Sequence, residues 1–156
     1  MGAKGSEQFG VTLLETTDIG GTSATTSYVS MENFDRAFAY VEIGTWNGTD
    51  DLDSCHLLQA TDSSGTSSKG LTTSASGGNY DTDSPVDADG NWVIIDIRAE
   101  DLDTDNGFNH IALYVAEGGN TGADNVTGFI IRHEPRYAAK QLNGAASSGA
   151  QVYVTT

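Results

Sequence analysis

The chain has 156 residues, the length of one domain, and carries 22 acidic side chains against 7 lysines and arginines, a formal charge of −15 at pH 7. That balance argues against nucleic-acid binding, which needs a basic face, and against docking on an anionic membrane. A single cysteine, Cys55, excludes an internal disulfide, and no apolar run approaches the ~18 residues of a membrane-spanning helix.

Periodicity favours strands almost throughout. Residues 9–16 form the first expected strand, with Phe9, Val11 and Leu13 on one face, and residues 26–31 the second. Residues 36–45 alternate clearly: Ala37, Ala39, Val41 and Ile43 face one way, Phe38, Tyr40 and Glu42 the other. Residues 54–60 follow, then residues 91–98 with Val93, Ile95 and Ile97 on one face. Residues 108–116, residues 126–133 and the closing QVYVTT complete about eight strands, the number of a jelly roll or a large sandwich. Helix is expected only as a turn at residues 99–103, and a short strand is allowed at 69–73 within the long Ser/Gly-rich loop. The acidic stretches 47–53, 61–78, 79–90 and 118–124 read as exposed loops.

The expected fold is all-β, an antiparallel β-sandwich of jelly-roll type, with an immunoglobulin-like sandwich as the alternative, since strand count alone does not separate them. Residues 1–156 form one domain, with a short N-terminal arm (1–8) and a small-residue-rich C-terminal extension (138–156). The core is expected to draw on Val41, Ile43, Leu57, Val93, Ile95, Ile97, Ile111, Leu113 and Val115. A weak echo at an offset of 74 matches Phe34, Tyr40, Val41, Gly44, Gly48 and Asp50 to Phe108, Tyr114, Val115, Gly118, Gly122 and Asp124, and reads most simply as two similar hairpins.

Candidate chemistry is sparse. Asp101, Asp103 and Asp105 have the odd-position carboxylates of a calcium loop, but Asn106 stands where the turn glycine belongs and Ala112 at the twelfth position. Asp87 and Asp89 with Gly90 form a second partial match, spoiled by Pro85 at the first ligand position. No obligatory metal or other cofactor is therefore expected. His56, His110 and His133 lack zinc-ligand spacing, and Cys55 and His56, adjacent on a strand, point to opposite faces. No nucleophile elbow, phosphate loop or dinucleotide fingerprint is present, so the expectation is a protein that is not an enzyme.

Charge is distributed unevenly. Residues 1–131 hold 21 acids and 4 bases, whereas residues 132–156 hold Arg132, Arg136 and Lys140 against Glu134 alone. The positive end is expected to lie on an acidic partner, with Arg132, Arg136, Tyr137 and Lys140 as contact residues.

The stretches NFDRAFAYVEIGTW, LLQATDSSGTSSKGL, VIIDIRAEDLDTDNGFNHIALYVAE and RHEPRY resemble small head-associated structural proteins of tailed bacteriophages, over roughly residues 30–138. The resemblance implies a capsid decoration (cement) protein on the virion surface, made in the host cytoplasm, with the major capsid protein as partner. A chain of this charge stays soluble before assembly by self-repulsion. An opening without a hydrophobic signal core and the lack of a disulfide fit addition from the cytoplasm. Attachment through repeated modest contacts favours a homo-oligomer, a dimer or trimer. The alternative class is a carbohydrate- or receptor-binding module, resting on Trp46, Trp92 and six tyrosines.

Overall fold

The computed structural model describes residues 9–47, 52–71, 88–117, 119 and 122–136. The expected strand at QVYVTT, the arm before Phe9 and the extension after residue 137 lie outside the described residues. Among these residues nine strands follow in order: β1 (Gly10–Asp18), β2 (Ser23–Thr25), β3 (Val29–Ser30), β4 (Phe34–Thr45), β5 (Ser54–Ala60), β6 (Lys69–Gly70), β7 (Trp92–Arg98), β8 (His110–Ala116) and β9 (Asn125–Pro135). Two single 3-10 turns, Ala99–Asp101 and Thr104–Asn106, stand between β7 and β8.

The strands form two antiparallel sheets. One has four strands in the order β1-β9-β4-β7; the other runs β2-β8-β5-β6, with β3 also paired to β8. Strict alternation explains β4, where Ala37, Ala39, Val41 and Ile43 are all buried while the intervening residues face outward. These side chains, with Val93 and Ile97 of β7 and Val126 and Ile130 of β9, meet Cys55 and Leu57 of β5 and Ile111, Leu113 and Val115 of β8 in one shared core. The molecule is thus an all-β antiparallel sandwich. The expected core residues are all present in it, Ile95 as a partly buried member at its margin.

The expected second strand, residues 26–31, is realised only as β3 at Val29–Ser30, with the separate short strand β2 ending just before it at Thr25. Thr26 is the reason. Its N–H donates to the Leu113 carbonyl at 3.0 Å, but its own hydroxyl accepts the Leu113 N–H at 2.9 Å, so a side chain takes the place of a main-chain carbonyl and interrupts the ladder. The 74-residue echo falls on β4 and β8, which lie in different sheets. Both valines, Val41 and Val115, enter the shared core.

Gly128 sets how closely β9 approaches its neighbours. A Cβ there would lie 2.7 Å from the Tyr40 carbonyl oxygen and 3.3 Å from Leu113 Cδ2, so only glycine lets β4, β8 and β9 meet at this point.

Candidate functional site: the outer face of the four-stranded sheet

Burial of one face of β1, β9, β4 and β7 leaves the other to the surroundings, and that face is unusually apolar. The register aligns Leu13 with Phe129, Phe129 with Tyr40, and Tyr40 with Ile94, a row crossing the whole sheet. A second row runs Val11, Ile131, Phe38 and then Asp96. Trp92 stands beside Tyr40, the two rings nearly parallel at 22° with centroids 6.4 Å apart, and Tyr40 stacks on Phe129 at 5.2 Å and 23°. Phe38 meets Phe129 edge-on at 6.2 Å. These contacts fix the rings against one another but do not cover them: Leu13 is 65% exposed, Val11 and Trp92 57%, Ile94 51% and Phe9 48%. A continuous exposed belt of this kind marks a surface that meets something.

Charged side chains stand at the two ends of the belt. At one end Arg36 approaches Asp96 at 3.8 Å and Glu134 at 3.5 Å, and Arg98 bonds Glu100 at 2.9 Å. At the other end Glu42 accepts the Tyr40 hydroxyl at 3.1 Å, and Thr16 and Thr127 share a hydroxyl hydrogen bond at 2.7 Å.

Of the residues assigned to a positive contact surface, the two described ones, Arg132 and Arg136, have partners inside the chain. Arg132 donates from Nη1 to the Ser30 carbonyl at 2.8 Å and lies over the Phe34 ring at 4.9 Å, half-buried, and burial lowers its guanidinium pKa. Arg136 bonds Asp35 at 2.6 Å on the surface. Tyr137 and Lys140 lie outside the described residues.

The calcium-like aspartates are dispersed into turn chemistry. Asp101 Oδ2 accepts the Arg98 N–H at 2.8 Å, tying the first 3-10 turn to the end of β7. Asp103 pairs with Lys69 and accepts the Asn106 amide at 2.8 Å. The Lys69 hydrogen bond, with that of Asn106, holds its carboxyl below the usual carboxylate range. Asp105 is exposed in the second turn. Asp89 accepts the Trp46 N–H at 2.7 Å, and Asp87 lies outside the described residues. Among the described residues, no three His, Cys, Asp or Glu side chains gather in a way that could hold a metal ion.

Two carboxylates expected in or beside solvated loops are buried. Glu117 is 1% exposed and accepts N–H bonds from Gly21 and Gly119; Asp124 is 0% exposed and accepts the Asn47 N–H. Asp18 accepts the Asp124 N–H at 3.0 Å. Together they fasten the turns at one end of the sandwich to one another. Trp46, a candidate sugar platform, packs partly buried against the core, whereas Trp92 is the open one.

His56 and Tyr114 face each other on the outer side of the five-stranded sheet, centroids 5.0 Å apart, while Cys55 points into the core. The expected separation of the pair is what the strand produces.

A scan against protein-family models finds no match for this chain, and a search of curated proteins finds none either.

Proposed function

We propose that this protein is a phage virion structural protein that binds the outer surface of the capsid and stabilises it, with no catalysis of its own. The observation that carries this reading is the apolar belt: an otherwise strongly acidic protein holds a broad aromatic and aliphatic surface open, which fits a part made to be assembled with others. The sequence resemblance supplies the virion context. The strand order supports a jelly roll within the sandwich. First and last described strands lie side by side, and no two strands consecutive in the chain are neighbours in the four-stranded sheet. An immunoglobulin-like sheet instead keeps several consecutive strands adjacent.

Contact with the major capsid protein is assigned to Arg132, Arg136, Tyr137 and Lys140, although Arg132 also bonds the Ser30 carbonyl of its own chain. Among the described residues Arg136 pairs with a surface aspartate, Asp35, an interaction of about 0–1 kcal/mol that a capsid carboxylate can replace. The test is binding of the purified protein to undecorated phage heads, followed by co-sedimentation. Saturable, stoichiometric occupancy is expected, weakened in an Arg136→Ala/Lys140→Ala protein. Absence of saturable binding by the wild type would remove the reading.

A second reading, carbohydrate binding, is favoured by the near-parallel Tyr40 and Trp92 rings with Trp92 open to solvent. Glycan-array binding abolished by Trp92→Ala would support it over the first.

A further inference from the structure

From the register of the four-stranded sheet we infer that the apolar belt is the interface of a two-fold dimer of this chain. The inference starts from the same belt as the capsid reading, but it is tested on the purified protein alone. Thr12, Ile130, Ala39 and Ile95 form one row across the sheet. A two-fold axis lying in the plane of the outer face, along that row, brings two copies together face to face with their strands reversed. Each outward residue then meets the one equally far beyond the row in the other copy.

On β4 this places Phe38 against Tyr40 and Arg36 against Glu42, since each pair is symmetric about Ala39. On β9 Phe129 meets Ile131, both aligned with those residues by the register. On β1 Val11 meets Leu13. On β7 Trp92 meets Arg98, a guanidinium over an indole. Each such contact occurs twice, as a two-fold interface requires. The match is carried by the apolar rows; at the charged ends Arg36, which already meets Asp96 and Glu134 of its own chain, is brought to Glu42 of the other copy. Asp96 falls opposite Ile94 and keeps its own cation, Arg36, at 3.8 Å.

The size is sufficient. The five most exposed apolar side chains, with the open parts of Phe38, Tyr40, Phe129 and Ile131, present on the order of 600 Å² of apolar surface. A stable interface takes ~800 Å² from each partner, and the charged ends supply the remainder. Two sheets packed in this way lie ~10 Å apart and cross at about 30°, as in a sandwich.

Sedimentation of the full chain at 150 mM salt decides the matter. The wild type is expected at twice the 16.3 kDa of one chain. Leu13→Asp and Ile94→Asp, both at exposed positions, are expected to be folded monomers with one cooperative melting transition that no longer depends on protein concentration, and either suffices if the other fails to fold. Arg36→Glu and Glu42→Arg are each expected to weaken the dimer about tenfold or more, and the double variant to return to within about threefold of wild type. Within one chain these residues are about 20 Å apart, so rescue reports a contact between copies. A wild type that stays monomeric up to ~100 μM overturns the inference, as does a dimer that persists in the folded aspartate variants. A double variant as weak as the singles overturns it too. A monomeric wild type whose binding to heads is lost in Leu13→Asp would assign the belt to the capsid protein, ending this inference while keeping the functional one.

Discussion

The carboxylate of Glu117 accepts the backbone N–H of Gly21 at 2.7 Å, joining turns that are 96 positions apart in the chain. Its other oxygen accepts the Gly119 N–H at 3.1 Å, and the side chain is buried. Hydrogen bonds to a charged group contribute about 1.5–3 kcal/mol each, and losing one leaves a main-chain donor unpaired. Glu117→Ala is therefore expected to cost about 2–4 kcal/mol in urea unfolding, with a lower midpoint and an unchanged slope. Glu117→Gln, which keeps one acceptor, is expected to recover part of the loss.

Gly128→Ala tests the close approach of β9. The added methyl meets a carbonyl oxygen at 2.7 Å rather than a movable side-chain end, so the strand itself must shift. A loss of about 1–3 kcal/mol is expected, measured by the same unfolding experiment. An unchanged midpoint would show that β4 and β9 can separate without cost.

Cys55 is expected to be inert in the native protein. It is 1% exposed, and burial pushes its thiol pKa up to about 12, so almost no thiolate exists at pH 8. A thiol reagent at that pH should label the chain only after denaturant is added. Rapid labelling of the folded protein would mean that β5 opens readily.

Stability is expected to fall in two stages on acidification. Burial holds His56 below the ordinary imidazole value of 6.5, and His110 likewise. The unfolded chain therefore takes up these protons first: stability is complete above about pH 6.5 and falls as pH drops towards the lowered native values. Asp62, held low by its bonds with Thr66, and Asp103, held low by Lys69, act in a more acidic window. Their contribution is present above 3.8 and is lost as pH falls through the native values. Melting temperature against pH should show both stages, and His56→Phe should shrink the first alone. A profile unchanged by that substitution would locate the first stage elsewhere.

The strands with strict alternation were legible because one of their faces is uniformly small or aliphatic: β4 and β7 each expose which residues face inward. The belt was not. Phe38, Tyr40, Phe129 and Ile131 are residues of the kind that fill cores, and nothing in the local pattern of β9 distinguishes its inner from its outer side. Only the pairing of β1 with β9 and of β9 with β4 aligns Leu13, Phe129 and Tyr40, and that alignment joins segments more than eighty residues apart. The break at Thr26 depends likewise on a hydroxyl reaching Leu113. The burial of Glu117 and Asp124 depends on N–H groups of Gly21 and Asn47, so an acidic loop sequence gave no sign of it.

The placement of β9 between β1 and β4 has a consequence for how the chain acquires its shape. During synthesis β1, β4 and β7 emerge before the strand that joins two of them. Until residues 125–135 arrive, β1 has no partner in its sheet and β4 is paired on one side only. The nascent sheet therefore carries open hydrogen-bonding edges beside bare aromatic rings, the combination that invites pairing with a neighbouring chain. Closure must bring together segments over a hundred positions apart, which makes the final step slow relative to a helical protein of equal length. High negative charge then acts in time as well as in space, keeping unfinished molecules apart until the last described strand slides into the gap.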